Sequence, residues 1–110
     1  MATQSYRNAV ATIANGGTET EEIDISMDGG APKNIMVFTP SALTGTVTIH
    51  IAPGLGGTYA PWYKGGANQT LIAAKAQLLE NVSGGAMKFV SGSAEGAARV
   101  FTLVGTRMYK

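Results

Sequence analysis

His50 is the only histidine in a chain of 110 residues that holds no cysteine, so acid–base and nucleophilic chemistry have few places to start. A Ser–His–Asp triad or a histidine-based metal site would need this one side chain. It falls in "GTVTIHIA" (Gly45–Ala52), where Val47, Ile49 and Ile51 alternate with Thr46, Thr48 and His50. That period of two predicts a strand with the apolar set facing inward and His50 outward, as a surface or interface residue. Glu80 and Glu95 could work as a carboxylate pair only if the fold joined them, and nothing in their spacing suggests it. Asp24 and Asp28 flank a glycine turn that could hold a structural Ca²⁺. The intervening "DISMD" lacks the alternating oxygen ligands of a calcium loop, so turn chemistry is expected there.

"GLGG" (Gly54–Gly57) joins strand to strand, without the helix N-terminus or lysine of a phosphate cradle. "NQT" and "NVS" match the glycosylation pattern, but no secretion signal accompanies them. Tyr59, Trp62 and Tyr63 are the one aromatic cluster. Aromatics of this kind stack on sugars or bases, anchor interfaces or fill cores. In an extended segment Trp62 points opposite to Tyr59 and Tyr63, so one flat platform is excluded and core or interface is expected. No catalytic residue, cofactor or metal ligand is assigned.

The elements that would hold these residues are strands separated by glycine-rich turns. "YRNAVATIA" (Tyr6–Ala14) and "EEIDIS" read as strands ended by "NGG" and "DGG". "NIMVFTP" (Asn34–Pro40) is apolar on both faces, the pattern of a strand covered on both sides. Pro61 has no N–H, so "TYAPWY" belongs at a sheet edge or carries a bulge. "QTLIAAKAQLLENV" fits helical spacing at Leu71, Ala74, Leu78 and Val82. The β context instead favours two short strands, Gln69–Ala73 and Gln77–Val82, turning at Ala74–Lys75. "MKFVSGSAEGAARVFTLVG" reads as a hairpin with arms Met87–Val90 and Arg99–Val104. Its loop "SGSAEGAA" has side chains small enough to lie flat against another protein. Eight or nine short antiparallel strands at this spacing predict one all-β domain over residues 1–110, a two-sheet, jelly-roll-like β-sandwich. Residues 1–5 are expected to be a loose arm.

Composition points toward contact rather than catalysis. Charged residues make up 14% of the chain, about half the usual share, and the 15 glycines are about twice it. A net charge of +1 argues against a polyanionic partner such as nucleic acid. No apolar run approaches the ~20 residues that span a bilayer, and the first residues do not read as a signal peptide, so synthesis in a cytoplasm is expected. Glu19, Glu21, Glu22, Asp24 and Asp28 cluster while the remainder is net basic. This suggests a solvated acidic edge or, more sharply, an acidic end that meets the basic end of a neighbour. The candidate interface residues are Glu19, Glu21, Glu22, Asp24, His50, Tyr59, Trp62 and Tyr63.

Two stretches carry a resemblance. "FTPSALTGTVTIHIA" (Phe38–Ala52) and "GGAMKFVSGSAEGAARVFTLVG" (Gly84–Gly105) resemble small β-sandwich structural proteins of tailed-bacteriophage virions, including capsid decoration (cement) proteins and head or tail accessory proteins. In that pattern a "TGTVT" strand precedes a glycine turn and an aromatic strand. The chain then ends in a strand resembling "M-R-x-V-S-G-x-A-E-x-A-x-R-x-F-x-V-x-G". Lys88 stands where the pattern has arginine. The resemblance implies a non-enzymatic decoration protein on the capsid surface, in contact with itself and with the major capsid protein or other virion proteins. The residues themselves lead to the expectation of no membrane, nucleic acid or cofactor partner. Trimers are the first expectation, because shell subunits meet at local three-fold positions. The strand–glycine turn–aromatic order also resembles discoidin-like and carbohydrate-binding jelly rolls. On that alternative the chain is a glycan-binding module of a fibre or tail, working through Tyr59, Trp62 and His50.

Overall fold

The computed structural model describes residues 4–5, 8–26 and 32–106. Its strands, in chain order, are β1 (Gln4–Ser5), β2 (Asn8–Ile13), β3 (Ile23–Asp24), β4 (Lys33–Phe38), β5 (Val47–Ala52) and β6 (Ala60–Pro61). Then come β7 (Tyr63–Lys64), β8 (Ala67–Asn68), β9 (Thr70–Leu71), β10 (Ala76–Val82), β11 (Ala86–Ser91) and β12 (Arg99–Thr106). One sheet runs β1-β3-β11-β5-β6, with β9 also on β5; the second runs β10-β4-β12-β2; β7 and β8 form a small ribbon. No helix occurs among the described residues. The molecule is an all-β sandwich.

The pairing is nested. β2 pairs with β12, β3 with β11, β4 with β10 and β5 with β9, all antiparallel. The chain therefore behaves as one long hairpin that folds back after β5 and is wrapped into two layers. Twelve short strands among the described residues exceed the eight or nine expected. The excess comes from the 53–69 excursion, which adds three two-residue strands, and from β1, whose pairing with β3 is parallel. Gln4–Ser5 of the expected loose arm are thus paired, and residues 1–3 lie outside the described residues. Pro61 sits in β6 at the edge of its sheet, where a missing N–H does no harm.

Alternation places the core. Val47, Ile49, Met87, Phe89 and Ile23 from one sheet meet Ile35, Val37, Phe101, Leu103 and Ile13 from the other, all without solvent exposure. Phe89 and Phe101 touch edge to face across the layers, with ring centroids 5.2 Å apart at 61°. Ile51, expected inward, is half-buried at the rim, where β5 ends one residue later. Lys33 is buried at the start of β4 and its Nζ donates to the Ile25 carbonyl across the layers at 2.7 Å.

Two sequence expectations meet the structure differently. Residues 69–82 form strands rather than a helix, as expected, but β9 and β10 lie in opposite sheets. Leu71 and Leu79 are therefore buried from opposite sides. The expected hairpin of Met87–Val90 and Arg99–Val104 does not form. β11 pairs with β5 and β3, whereas β12 pairs with β2 and β4. The stretch 92–98 crosses between the layers because both arms bury large residues on the same central core, which a flat hairpin could not do.

Candidate functional site

Of the expected interface residues, Glu19, Glu22, Asp24, His50 and Tyr59 lie on or beside the outer face of the β1-β3-β11-β5-β6 sheet, whereas Glu21 reaches the β2 edge, Trp62 packs against the core and Tyr63 stands on the β7–β8 ribbon. His50 stands in register with Lys88 on β11 and Pro61 on β6. Its pKa is held below the ordinary value, first by burial and also by Lys88, with Glu19 opposing. The imidazole is neutral at pH 7, an outward strand residue among polar neighbours, and among the described residues no acid is hydrogen-bonded to it.

The acidic segment is occupied by its own chain. Lys88 Nζ pairs with Glu19 Oε2 at 3.1 Å on the surface, where such pairs contribute little. Glu21 Oε1 accepts from the Thr12 backbone N–H at 2.8 Å, satisfying a donor on the β2 edge. Glu22 Oε2 accepts from the Tyr59 hydroxyl and from Gly56 N–H, both at 2.6 Å. The Gly54–Gly57 turn thus cradles an internal carboxylate. Asp24 Oδ1 takes Ser26 N–H and Oγ–H, the turn chemistry expected, while Asp28 lies outside the described residues. Among the described residues no group of three acids or histidines is placed to hold a metal.

Glu19, Glu22, Gly56, Tyr59 and Lys88 line an open groove of about 370 Å³. The hydrogen bond from Tyr59, then that from Gly56, holds the Glu22 carboxyl below its ordinary pKa. Burial, then the bond to Glu22, pushes the Tyr59 hydroxyl up. Tyr59→Phe is therefore expected to raise the Glu22 titration midpoint, read by NMR. An unchanged midpoint would mean that the hydroxyl does not donate to Glu22 in solution.

The three aromatics do not share a surface. Tyr59 has Lys88 Nζ over its ring at 4.7 Å. Trp62 is half-buried against the core, its backbone N–H bonded to the Ile49 carbonyl and its ring under Lys64. Tyr63 alone is open, 67% exposed on the β7–β8 ribbon. A stacking platform is not assembled.

Sequence reasoning missed the role of Glu95. Its side chain is fully buried, and the two oxygens accept from Thr44 N–H, Gly45 N–H, Ser91 Oγ and Arg99 Nε at 2.6–2.9 Å. Burial alone would raise its pKa, but these donors together bring it down to about 2. The clasp ties the 92–98 crossing to the loop before β5, and a Cβ on Gly45 would lie only 2.6 Å from Ser91 Oγ. Glu80, on β10, takes no part in it. "SGSAEGAA" is consequently not a flat docking loop, because its acid points inward.

The other missed feature is the outer face of the β10-β4-β12-β2 sheet. Ladder register sets Ala76, Phe38, Thr102 and Val10 in one row, and Leu78, Met36, Val104 and Asn8 in the next. Val10, Phe38, Leu78, Val100 and Val104 are 40–47% exposed. No charged side chain stands in these two rows. "NIMVFTP" announced a strand covered on both sides, and within the chain β4 is covered on one. The two faces are unlike: one polar and internally paired, the other apolar and open.

Comparison with protein-family models, with curated proteins and with solved structures finds no match.

Proposed function

We propose that the chain is a non-enzymatic structural protein of a tailed-phage virion, a capsid decoration protein that stabilises the shell by bridging subunits. The observation that carries this reading is the open apolar face of the β10-β4-β12-β2 sheet. Exposed contiguous apolar surface of this kind marks a contact site. The nested pairing supports a jelly-roll-like classification, an architecture used in viral capsids and in lectins. The lectin branch lacks support here, since Tyr59 and Trp62 are occupied by their own chain. Many modest contacts, repeated over a shell, add through multivalency.

The test is retention on particles. Virions lacking the protein are re-supplied with it, sedimented and analysed on a protein gel. Saturable retention, with greater resistance of the shell to heat, is the expected result. A protein that never co-sediments with particles removes the decoration reading.

A further inference from the structure

We infer that the apolar outer face of the β10-β4-β12-β2 sheet is covered by a second copy of this chain, two sheets packing face to face about a two-fold axis. The inference rests on the assembly reading and names the partner of its principal surface.

Charge, shape and size point to a copy. The two central rows are uncharged, so superposing two such faces brings no like charges together. Bulk is unevenly distributed across the sheet. Apart from Ala76 on β10, the large side chains Phe38, Met36 and Leu78 lie on β4 and β10, whereas Val10, Thr102 and Val104 lie on β2 and β12. A two-fold axis in the interface plane, parallel to the strands and between β4 and β12, reverses the strand order of the partner. The bulky half of each copy then meets the small half of the other, the alternation that close packing requires. The same operation carries the Lys75 corner of one copy toward the β2 edge of its partner, where Glu21 is held by Thr12. Sheets packed this way keep their strands within about 30° and lie about 10 Å apart.

The size is adequate for a dimer of modest affinity. Four strands about 4.8 Å apart, with a rise of about 3.4 Å per residue, give a footprint on the order of 450 Å² per copy. The pair hides roughly 900 Å² before side-chain relief is added, close to the ~1,000 Å² at which specific interfaces begin. The symmetry is two-fold, so this contact by itself builds dimers and not the trimer expected from shell geometry.

Sedimentation of the full chain tests it, over concentrations from about 1 to 300 µM. A species of twice the 11.3 kDa chain mass is expected to appear. Val104→Lys and Phe38→Lys, both at exposed positions, should each weaken it by about 30-fold or more while leaving circular dichroism unchanged. Orientation is read by cross-linking, since the chain has no cysteine of its own. A mixture of Val10→Cys and Ala76→Cys copies should be joined by a short bismaleimide, because the axis places those positions opposite each other. Val10→Cys copies alone should not be joined. A disulfide would be too short for sheets about 10 Å apart. A wild type that stays monomeric throughout, or a dimer unaffected by Val104→Lys, overturns the pairing. A monomer whose particle retention is lost with Val104→Lys also overturns it, and assigns the face to the shell. A dimer that is never retained on particles upholds the pairing and removes the decoration reading instead.

Discussion

Glu95→Ala is expected to lower the unfolding free energy by about 3–5 kcal/mol, as when one partner of a buried ion pair is removed. The substitution strands the Thr44 and Gly45 N–H groups, leaves the Ser91 hydroxyl only the Ser93 carbonyl, and leaves Arg99 without its carboxylate. Glu95→Gln should recover only part of the loss, because an amide presents one acceptor oxygen where the clasp needs two. Acid dependence gives an independent view of the same interactions. Folding makes this carboxyl a stronger acid, with a pKa of about 2 against an ordinary 4.5. Its stabilisation, about 3 kcal/mol, is therefore fully present above pH ~4.5 and is lost as the pH falls toward 2. Urea unfolding at pH 7 and pH 3 checks both statements. The wild type should lose more stability than Glu95→Gln between those pH values. A Glu95→Ala protein within about 0.5 kcal/mol of wild type at pH 7 would mean that the clasp does not hold in solution.

Phe89→Ala should cost about 3–5 kcal/mol, the usual cost of emptying a fully buried aromatic site. In a domain whose whole stability is about 5–15 kcal/mol, that is a large fraction. The loss has two parts, the cavity and the edge-to-face contact with Phe101 across the layers. A double-mutant cycle with Phe89→Leu and Phe101→Leu separates them, and a coupling of about 0.5–1.5 kcal/mol is expected. Chemical denaturation of the four proteins gives both values. A Phe89→Ala loss below about 1 kcal/mol would contradict the placement of the ring at the centre of the sandwich.

The sequence was informative where a residue's neighbours along the chain determine its environment. Val47 and Ile49 are buried while Thr48 and His50 are more open, because a strand in a two-layer fold must alternate. Pro61 lies at an edge for an equally local reason. Pairing partners were not legible, because periodicity reports a face and says nothing about which sheet a strand joins. Met87–Val90 and Arg99–Val104 were each legible as strands, yet the hairpin inferred from their proximity in sequence does not exist. Glu95 was illegible for the same reason. Its donors come from three separate stretches of chain, and an acid in a loop of small residues looks like surface. The acidic run 19–24 read as an available edge, whereas Glu21 and Glu22 satisfy donors of their own chain. The apolar outer face was half legible, through Met36 and Phe38 on the exposed side of β4.

The nested pairing also constrains how the molecule comes into being. β12 lies between β4 and β2 in the middle of its sheet, and sets Val104 beside Asn8. During synthesis β4 can pair with β10, but β2 emerges early and must wait for its ladder partner until Arg99–Thr106 leaves the ribosome. The sheet cannot grow outward from a finished centre, because β12, which joins β4 to β2, is made after both. Contacts between such distant parts of the chain form slowly, and waiting strands expose unsatisfied edges. Glu21, which caps a donor on the β2 edge, suits that interval. The surface inferred for pairing exists only once β12 has joined its two rows, so nascent copies cannot associate through it before each has closed.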